Sequence, residues 1–364
     1  MNFVYNFSSG PSMLPIEVMK QAKKEFLNWN NIGSSILEIS HRSKEFLMLI
    51  KNSKKNLRDL LKIPKNYKIL FCHGGARGQF SAIPMNLTKK NDQVDYICSG
   101  HWSKSAAKEA KKYCQANIIN VSSYKNEKKF IIPMKQWKIN NESKYIHYCP
   151  NETIDGISIN EEPIFKNKHV IGDFSSTLLS RKININKYSL IYASAQKNIG
   201  TSGITIIIIK KDLIKNTNRN IPSILNYKIM LENDSLFNTP TNFSWYLSNL
   251  IFIWLKKIGG LKEIEKINTK KSNLLYKKID SSNFYINKIK KENRSQMNVV
   301  FELKNKKLNN LFLKESKLNN LFYLKNHKIA GNMRASIYNA MPIKGVKKLV
   351  KFMSYFEKKY INMN

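Results

Sequence analysis

Short apolar runs punctuate the first two-thirds of the chain. Residues 67–72, 94–98, 145–149, 170–173, 190–195 and 204–209 are apolar at nearly consecutive positions rather than at every second one. A strand that reads this way is covered on both faces, as in a mostly parallel sheet. Residues 78–87 and 103–113 lie between such runs and carry a helical pattern. Strands alternating with helices predict an α/β domain.

The pattern changes after Gly259-Gly260. Residues 261–280 form a Lys-rich amphipathic helix, followed by strand-like segments at 297–303 and 334–338 and a last helix from Lys344 onward. These elements predict a separate, smaller α+β domain. The expected division is a large domain over 16–257 and a small one over 258–364. The N-terminal arm, 1–15, is expected beside the active site or against the small domain. No period of 20–50 residues repeats, and no long linker interrupts the chain.

Charge adds a question. With 62 Lys and Arg against 25 Asp and Glu, the formal charge is +37 in 364 residues. Clustered basic residues would point to a nucleic-acid-binding protein, a class with no chromophore and salt-sensitive binding. Here the excess is nearly all Lys, is dispersed, and comes with abundant Asn and Ile, as in Ile183-Asn184-Ile185-Asn186-Lys187. Those three residues share AT-rich codons, so a compositional bias of the genome accounts for them together. No nucleic-acid partner is expected. No apolar run approaches a membrane span and no signal-like leader opens the chain, so a cytoplasmic protein away from membranes is expected. The four cysteines show neither CxxC pairing nor metal-ligand spacing, and no metal site is expected.

Candidate chemistry sits at the carboxyl ends of the strands, where open α/β sheets bind ligands. His73-Gly74-Gly75-Ala76-Arg77-Gly78 leads into a helix, offering backbone N–H groups and a guanidinium to an anion. Read alone it is more readily a generic tight turn. Gly100-His101-Trp102 places an indole at a helix mouth, for stacking on a flat ligand or for plain packing. Pro150-Asn151-Glu152-Thr153-Ile154-Asp155-Gly156 offers the Thr153 hydroxyl, with Glu152 and Asp155 serving the turn. Asp173 ends an apolar run, where a carboxylate needs a cationic partner such as a protonated pyridine nitrogen. Ser194-Ala195-Gln196-Lys197 puts a lysine after small residues at a strand end, where loss of solvent would make the amine nucleophilic. Lys197 is one of 62 basic residues, so its identity says little and its position says much. An anion cup, an acid and a lysine, in this order on successive strands, are what pyridoxal phosphate requires.

The residues resemble the phosphoserine aminotransferases, a family of fold-type I pyridoxal-phosphate enzymes among the class-V aminotransferases. The resemblance covers nearly the whole chain. It rests on Asn6-Phe7-Ser8-Ser9-Gly10-Pro11, Ser40-His41-Arg42, the 73–78 loop, Tyr148-Cys149-Pro150-Asn151-Glu152-Thr153, Asp173-Phe174-Ser175-Ser176, Ala195-Gln196-Lys197-Asn198-Ile199-Gly200, Phe237-Asn238-Thr239-Pro240 and Met333-Arg334-Ala335-Ser336-Ile337-Tyr338-Asn339-Ala340-Met341. It implies a seven-stranded, mostly parallel sheet and pyridoxal 5′-phosphate carried as a Schiff base on Lys197. Asp173 would keep the pyridine nitrogen protonated, Trp102 would stack on the ring, and Thr153 would lie at its polar edge. Ala76, Arg77 and Gln196 would hold the cofactor phosphate, joined by Asn238 and Thr239 from a neighbouring subunit of a homodimer. Arg334 would clamp the substrate α-carboxylate. His41, Arg42, Arg77 and His327 would cage the substrate phosphate or the side-chain carboxylate of L-glutamate, with Ser9 nearby.

The implied reaction is L-glutamate plus 3-phosphohydroxypyruvate giving 2-oxoglutarate plus O-phospho-L-serine, in serine biosynthesis. A second substrate in vitamin B6 synthesis, 3-hydroxy-2-oxo-4-phosphooxybutanoate, is also implied for bacterial members. Two positions depart from the family. Lys328 stands where Arg is common, replacing a forked donor by a point charge. Thr201-Ser202-Gly203 follows the lysine turn in place of a Pro-containing form. Another fold-type I enzyme, a cysteine desulfurase, would need a reactive cysteine on a mobile loop. None of Cys72, Cys98, Cys114 and Cys149 is placed that way. A chain that folds without turning over is the last alternative; the intact Asp173 and Lys197 argue against it.

Overall fold

The computed structural model describes residues 3–215 and 220–363. In chain order the elements begin with β1 (Tyr5–Asn6), α1 (Ile16–Glu25), α2 (Lys44–Leu61), β2 (Tyr67–Cys72), α3 (Gly75–Leu87), β3 (Gln93–Cys98), α4 (His101–Ala110) and β4 (Gln115–Asn120). A hairpin of β5 (Ser122–Lys125) and β6 (Lys128–Ile131) precedes β7 (Tyr145–Tyr148). A second, of β8 (Asn151–Glu152) and β9 (Ile157–Ser158), precedes β10 (His169–Asp173), β11 (Leu190–Ser194) and β12 (Thr205–Lys210). Then come α5 (Tyr227–Glu232), α6 (Asn242–Lys257) and α7 (Gly260–Asp280). The chain closes with β13 (Tyr285–Ile286), β14 (Asn298–Leu303), α8 (Asn309–Leu318), β15 (Leu321–Phe322), β16 (Met333–Ser336) and α9 (Ile343–Tyr360).

Seven strands form the main sheet in the order β2-β12-β11-β10-β7-β3-β4. Only β12 runs against its neighbours; the other pairs are parallel. Strand β12 shows why its apolar run is unbroken. Ile206 and Ile208 enter one core with Phe71 and Trp245, while Ile207 and Ile209 enter the opposite core with Ala106 and Tyr227. Burial on both faces removes any reason for polar alternation. The fold is therefore the mostly parallel α/β sheet that the sequence predicts.

Three elements differ from expectation in instructive ways. Strand β4 extends the sheet beyond β3 at its edge; it is largely exposed, so it lacks an apolar signature. Helix α3 starts at Gly75 rather than Gly78, because Gly74 and Gly75 adopt φ of 88° and 62° and close the turn earlier. Helix α4 runs from His101 to Ala110 rather than 103 to 113, because a distant side chain described below caps its start.

A third core gathers residues of α7, α8, α9, β14 and β16, and includes Tyr5 and Phe7 of the N-terminal arm. Strand β1 pairs in parallel with β15. From there the arm crosses to the main sheet, where the Ser12 N–H donates to Gln196 O at 3.0 Å. The arm thus ties the third core to the turn that carries Lys197.

Candidate active site

Strands β10 and β11 are parallel neighbours with Asp173 opposite Tyr192. Their carboxyl ends open in the same direction, so the turn after β11 brings Lys197 alongside Asp173. The acid is buried and accepts the Ser175 N–H at 2.9 Å. The Tyr192 hydroxyl bonds the same carboxyl group and lies 2.9 Å from His147 Nε2. Burial pushes the His147 pKa down to about 3, so this ring stays neutral behind the acid. Burial also raises the Asp173 pKa, and the Lys197 charge works against that rise.

The Lys197 pKa is lowered by burial, with Asp173 opposing. Its neutral amine, the nucleophilic form, is correspondingly more accessible. The turn is held from the N-terminal arm, where Ser12 Oγ donates to the Lys197 carbonyl at 2.6 Å. Gly10 passes so close that an added Cβ would lie 3.3 Å from Gln196 Cγ and 3.7 Å from Lys197 Cγ.

Trp102 forms a wall of the same cleft, and its orientation is fixed at two points. Its indole N–H donates to Thr153 Oγ1 at 2.8 Å. Its backbone N–H donates to Glu152 Oε2 at 2.9 Å, while Ser103 gives its N–H at 2.7 Å and its hydroxyl at 2.6 Å to Glu152 Oε1. Glu152 is therefore the N-terminal cap of α4 and more than a turn residue. Burial pushes its pKa up to about 7, against the pull of those donors. No local motif reveals this role, because the cap comes from about 50 residues along the chain.

The cations are arranged around this wall. The Arg77 guanidinium lies 5.4 Å from the Trp102 ring centroid and has no ion pair among the described residues. Arg334 is buried on β16; one Nη donates to Thr153 O at 3.3 Å, and its buried Nε has no partner among the described residues. A buried guanidinium left this way is costly unless an anion meets it. His327 stands 5.7 Å from His101, ring to ring. Lys328 is exposed beside it. The Ser9 carbonyl accepts the Tyr338 hydroxyl at 3.1 Å. The Ala76 N–H donates to Ser194 Oγ at 2.6 Å, which ties the start of α3 to the end of β11.

Asp173, Lys197, Trp102, Thr153, Arg77 and Arg334 are thus drawn to one cleft. Four other expected residues are joined to it by no hydrogen bond or ion pair among the described residues. His41 and Arg42 lie in the turn before α2, and Arg42 is exposed. Asn238 and Thr239 lie before α6, where Asn238 Oδ1 has no partner and Thr239 is exposed.

Pyridoxal phosphate fits these residues. A buried acid awaits a cation, a lysine of depressed pKa faces it, and an indole is locked edge-on by Thr153. Unpaired guanidinium groups await anions on either side. Fold and cleft together define a fold-type I pyridoxal-phosphate transferase. The chain matches the class-V aminotransferase family over residues 4–349. It is 62% identical over 360 residues to a phosphoserine aminotransferase of Buchnera aphidicola subsp. Acyrthosiphon pisum (strain Tuc7), covering 99% of this chain and 100% of that one. The phosphoserine aminotransferase of Bacillus circulans subsp. alkalophilus superposes with a TM-score of 0.95 at 36% identity, covering 98% of this chain and 99% of that one. A pyridoxal-phosphate-bound phosphoserine aminotransferase from Trichomonas vaginalis gives 0.91 at 37% identity, covering 97% and 100%. The chain belongs to the class-V aminotransferase family.

Proposed function

We propose that this chain transfers the amino group of L-glutamate to 3-phosphohydroxypyruvate, giving 2-oxoglutarate and O-phospho-L-serine. The observation that carries this reading is the pairing of Asp173 with a lysine of depressed pKa, opposite a buried guanidinium that lacks an anion. Full-length similarity to proteins named for the same activity supports it. When bound, the cofactor supplies an electron sink for negative charge developing at the substrate α-carbon.

The chain's own residues do the rest. Lys197 Nζ would hold the cofactor, and its neutral amine would take the proton from the substrate α-carbon as a base. Asp173, held by Ser175 and Tyr192, keeps its cationic partner protonated. Arg334 would grip the α-carboxylate with Nε and an Nη, a bidentate contact that fixes the orientation of the substrate α-carbon. Trp102 covers one face and excludes water. Arg77 and Gln196 hold the cofactor phosphate from within the chain. His41, Arg42, Arg77, His327 and Lys328, with Ser9, receive the substrate phosphate or the distal carboxylate of glutamate.

The exposed Arg42 and Thr239, and the unpartnered Asn238 Oδ1, support a homodimer in which each subunit completes the other's site. Exposed apolar side chains on and between α1 and α2, among them Met19, Leu27, Leu37 and Met48, support the same arrangement. The related four-carbon phosphorylated oxo acid of vitamin B6 synthesis fits the same clamps and is proposed as a second substrate. A cytoplasmic location is supported by four buried cysteines, none of them in a disulfide. Burial pushes the Cys72 thiol up to about 12 and Cys98 to about 11, which disfavours thiolate chemistry of the desulfurase kind. We take the large domain as 16–257 and the small one as 258–364, with the arm 1–15 bridging them.

The test is direct. Purified protein loaded with pyridoxal phosphate should form O-phosphoserine from glutamate and 3-phosphohydroxypyruvate. Turnover with an unphosphorylated oxo acid at equal or better kcat/KM would overturn the assignment of substrate class.

A further inference from the structure

Lys271, in the middle of α7, is fully buried and takes no part in the chemistry above. Its ammonium donates to three main-chain carbonyls: Ile337 at 3.1 Å, Tyr338 at 2.7 Å and Met341 at 3.1 Å. No carboxylate pairs with it among the described residues, and only burial acts on its pKa. The three acceptors belong to the loop that continues directly from β16, the strand of Arg334.

The same loop is stitched to the lysine turn. Asn339, between two of those carbonyls, gives its N–H to Asn198 Oδ1 at 3.0 Å, and Asn198 follows Lys197. The Asn339 side chain donates to Leu179 O at 2.9 Å and accepts from Asn268 Nδ2, one turn before Lys271, at 2.8 Å. One helix thus grips a loop whose near end orients Arg334 and whose middle touches the residue beside Lys197.

We propose that Lys271 is a positioning residue, whose charged amine latches the 337–341 loop and so sets Arg334 in register with Lys197. The inference rests on the proposed transamination. The three-carbonyl nest selects the charged form: an ammonium has three N–H donors for three acceptors, whereas a neutral amine has two and turns a lone pair toward the third carbonyl. Burial opposes that charge and pushes the Lys271 pKa down to about 7. No titratable group among the described residues acts on its charge. The Tyr338 hydroxyl meets Ser9 O and Asn298, and Arg334 meets Thr153 O. The latch therefore weakens as pH rises through neutrality, by loss of one of its three bonds.

The test compares wild type with Lys271→Met, which keeps length and apolar bulk without charge, in cofactor-loaded protein. The readout is the dissociation constant for glutarate, a non-reacting dicarboxylate, followed by its perturbation of the cofactor's visible spectrum from pH 6 to 9. Loss of the charged donors should weaken glutarate binding roughly tenfold at pH 6, with kcat changed much less than KM for glutamate. Wild type should approach the variant as pH rises; the variant should show no such trend. Equal glutarate affinity in both proteins at every pH would overturn the proposal. If Lys271→Met does not fold, amide exchange at Asn339 in wild type, corrected for its intrinsic pH dependence, decides: protection falling above neutral pH supports the latch, and constant protection refutes it. Failure of wild type to bind glutarate at all would count against the transamination reading, while exchange at Asn339 would still judge the latch.

Discussion

At the residue scale the account rests on which side chains lack partners and which are over-supplied. The Arg334 Nε lacks one among the described residues, so Arg334→Lys, which keeps the charge and removes the fork, should raise KM for glutamate by about tenfold or more with a smaller effect on kcat. Glu152 is over-supplied, with three donors on a carboxyl that burial would neutralise. Its folded pKa of about 7 lies above the ordinary glutamate value of 4.5. The folded state therefore binds that proton more tightly, and the stabilisation is full below about pH 4.5 and is lost as pH rises through 7. The stability of wild type relative to Glu152→Gln should fall across that window, by up to about 3 kcal/mol. Denaturant melts of both proteins at pH 5 and pH 8 measure it. A difference that grows with pH would contradict the sign. Asp173 drew notice in the sequence because it ends an apolar run, and Lys197 because it follows small residues just past the end of one. Glu152 was visible only as a turn residue, since what it caps is distant in sequence.

At the element scale, the close fit of the α4 start against the turn after β7 carries Trp102. An added Cβ at Gly100 would lie 2.5 Å from Asp155 Oδ2 and 2.6 Å from Glu152 Cγ. Gly100→Ala should therefore displace the helix start and loosen cofactor binding by about tenfold or more, read by titrating pyridoxal phosphate into apoprotein. Unchanged affinity would show that the indole does not depend on this contact. The same contrast separates the elements the sequence revealed from those it hid. Strands β2, β7, β10, β11 and β12 were legible because burial on both faces leaves a continuous apolar run. The edge strand β4 is not, because exposure lets its residues be polar, and two-residue strands such as β1 and β15 are too short to carry any period. Helices α1 and α2 were not among the elements expected from the sequence, although Ser43 caps α2 by accepting the Phe46 N–H at 3.2 Å.

At the scale of the whole molecule, one chain supplies only part of the expected site. Lys197, Asp173, Trp102 and Arg334 meet within it; no hydrogen bond or ion pair among the described residues joins Asn238, Thr239, His41 or Arg42 to them. No pattern along a single sequence shows where a second copy reaches, so those residues rested on resemblance. If sites are shared, two inactive proteins should complement each other. Mixing Lys197→Ala with the Asn238→Ala/Thr239→Ala double variant, after reversible dissociation, builds mixed dimers with one intact site. Activity should return to a substantial fraction of wild type, and no recovery in verified mixed dimers would place those residues in their own subunit's site or outside it.

The central claim is a two-step exchange of an amino group through a cofactor held on Lys197. The visible spectrum of the loaded protein tests it most directly, read first after glutamate alone and then after 3-phosphohydroxypyruvate. Glutamate should bleach the yellow band with release of 2-oxoglutarate, and the phosphorylated oxo acid should restore it with release of O-phosphoserine. A protein that stays colourless with pyridoxal phosphate, keeps its band when glutamate is added, or behaves the same as Lys197→Ala would contradict the account.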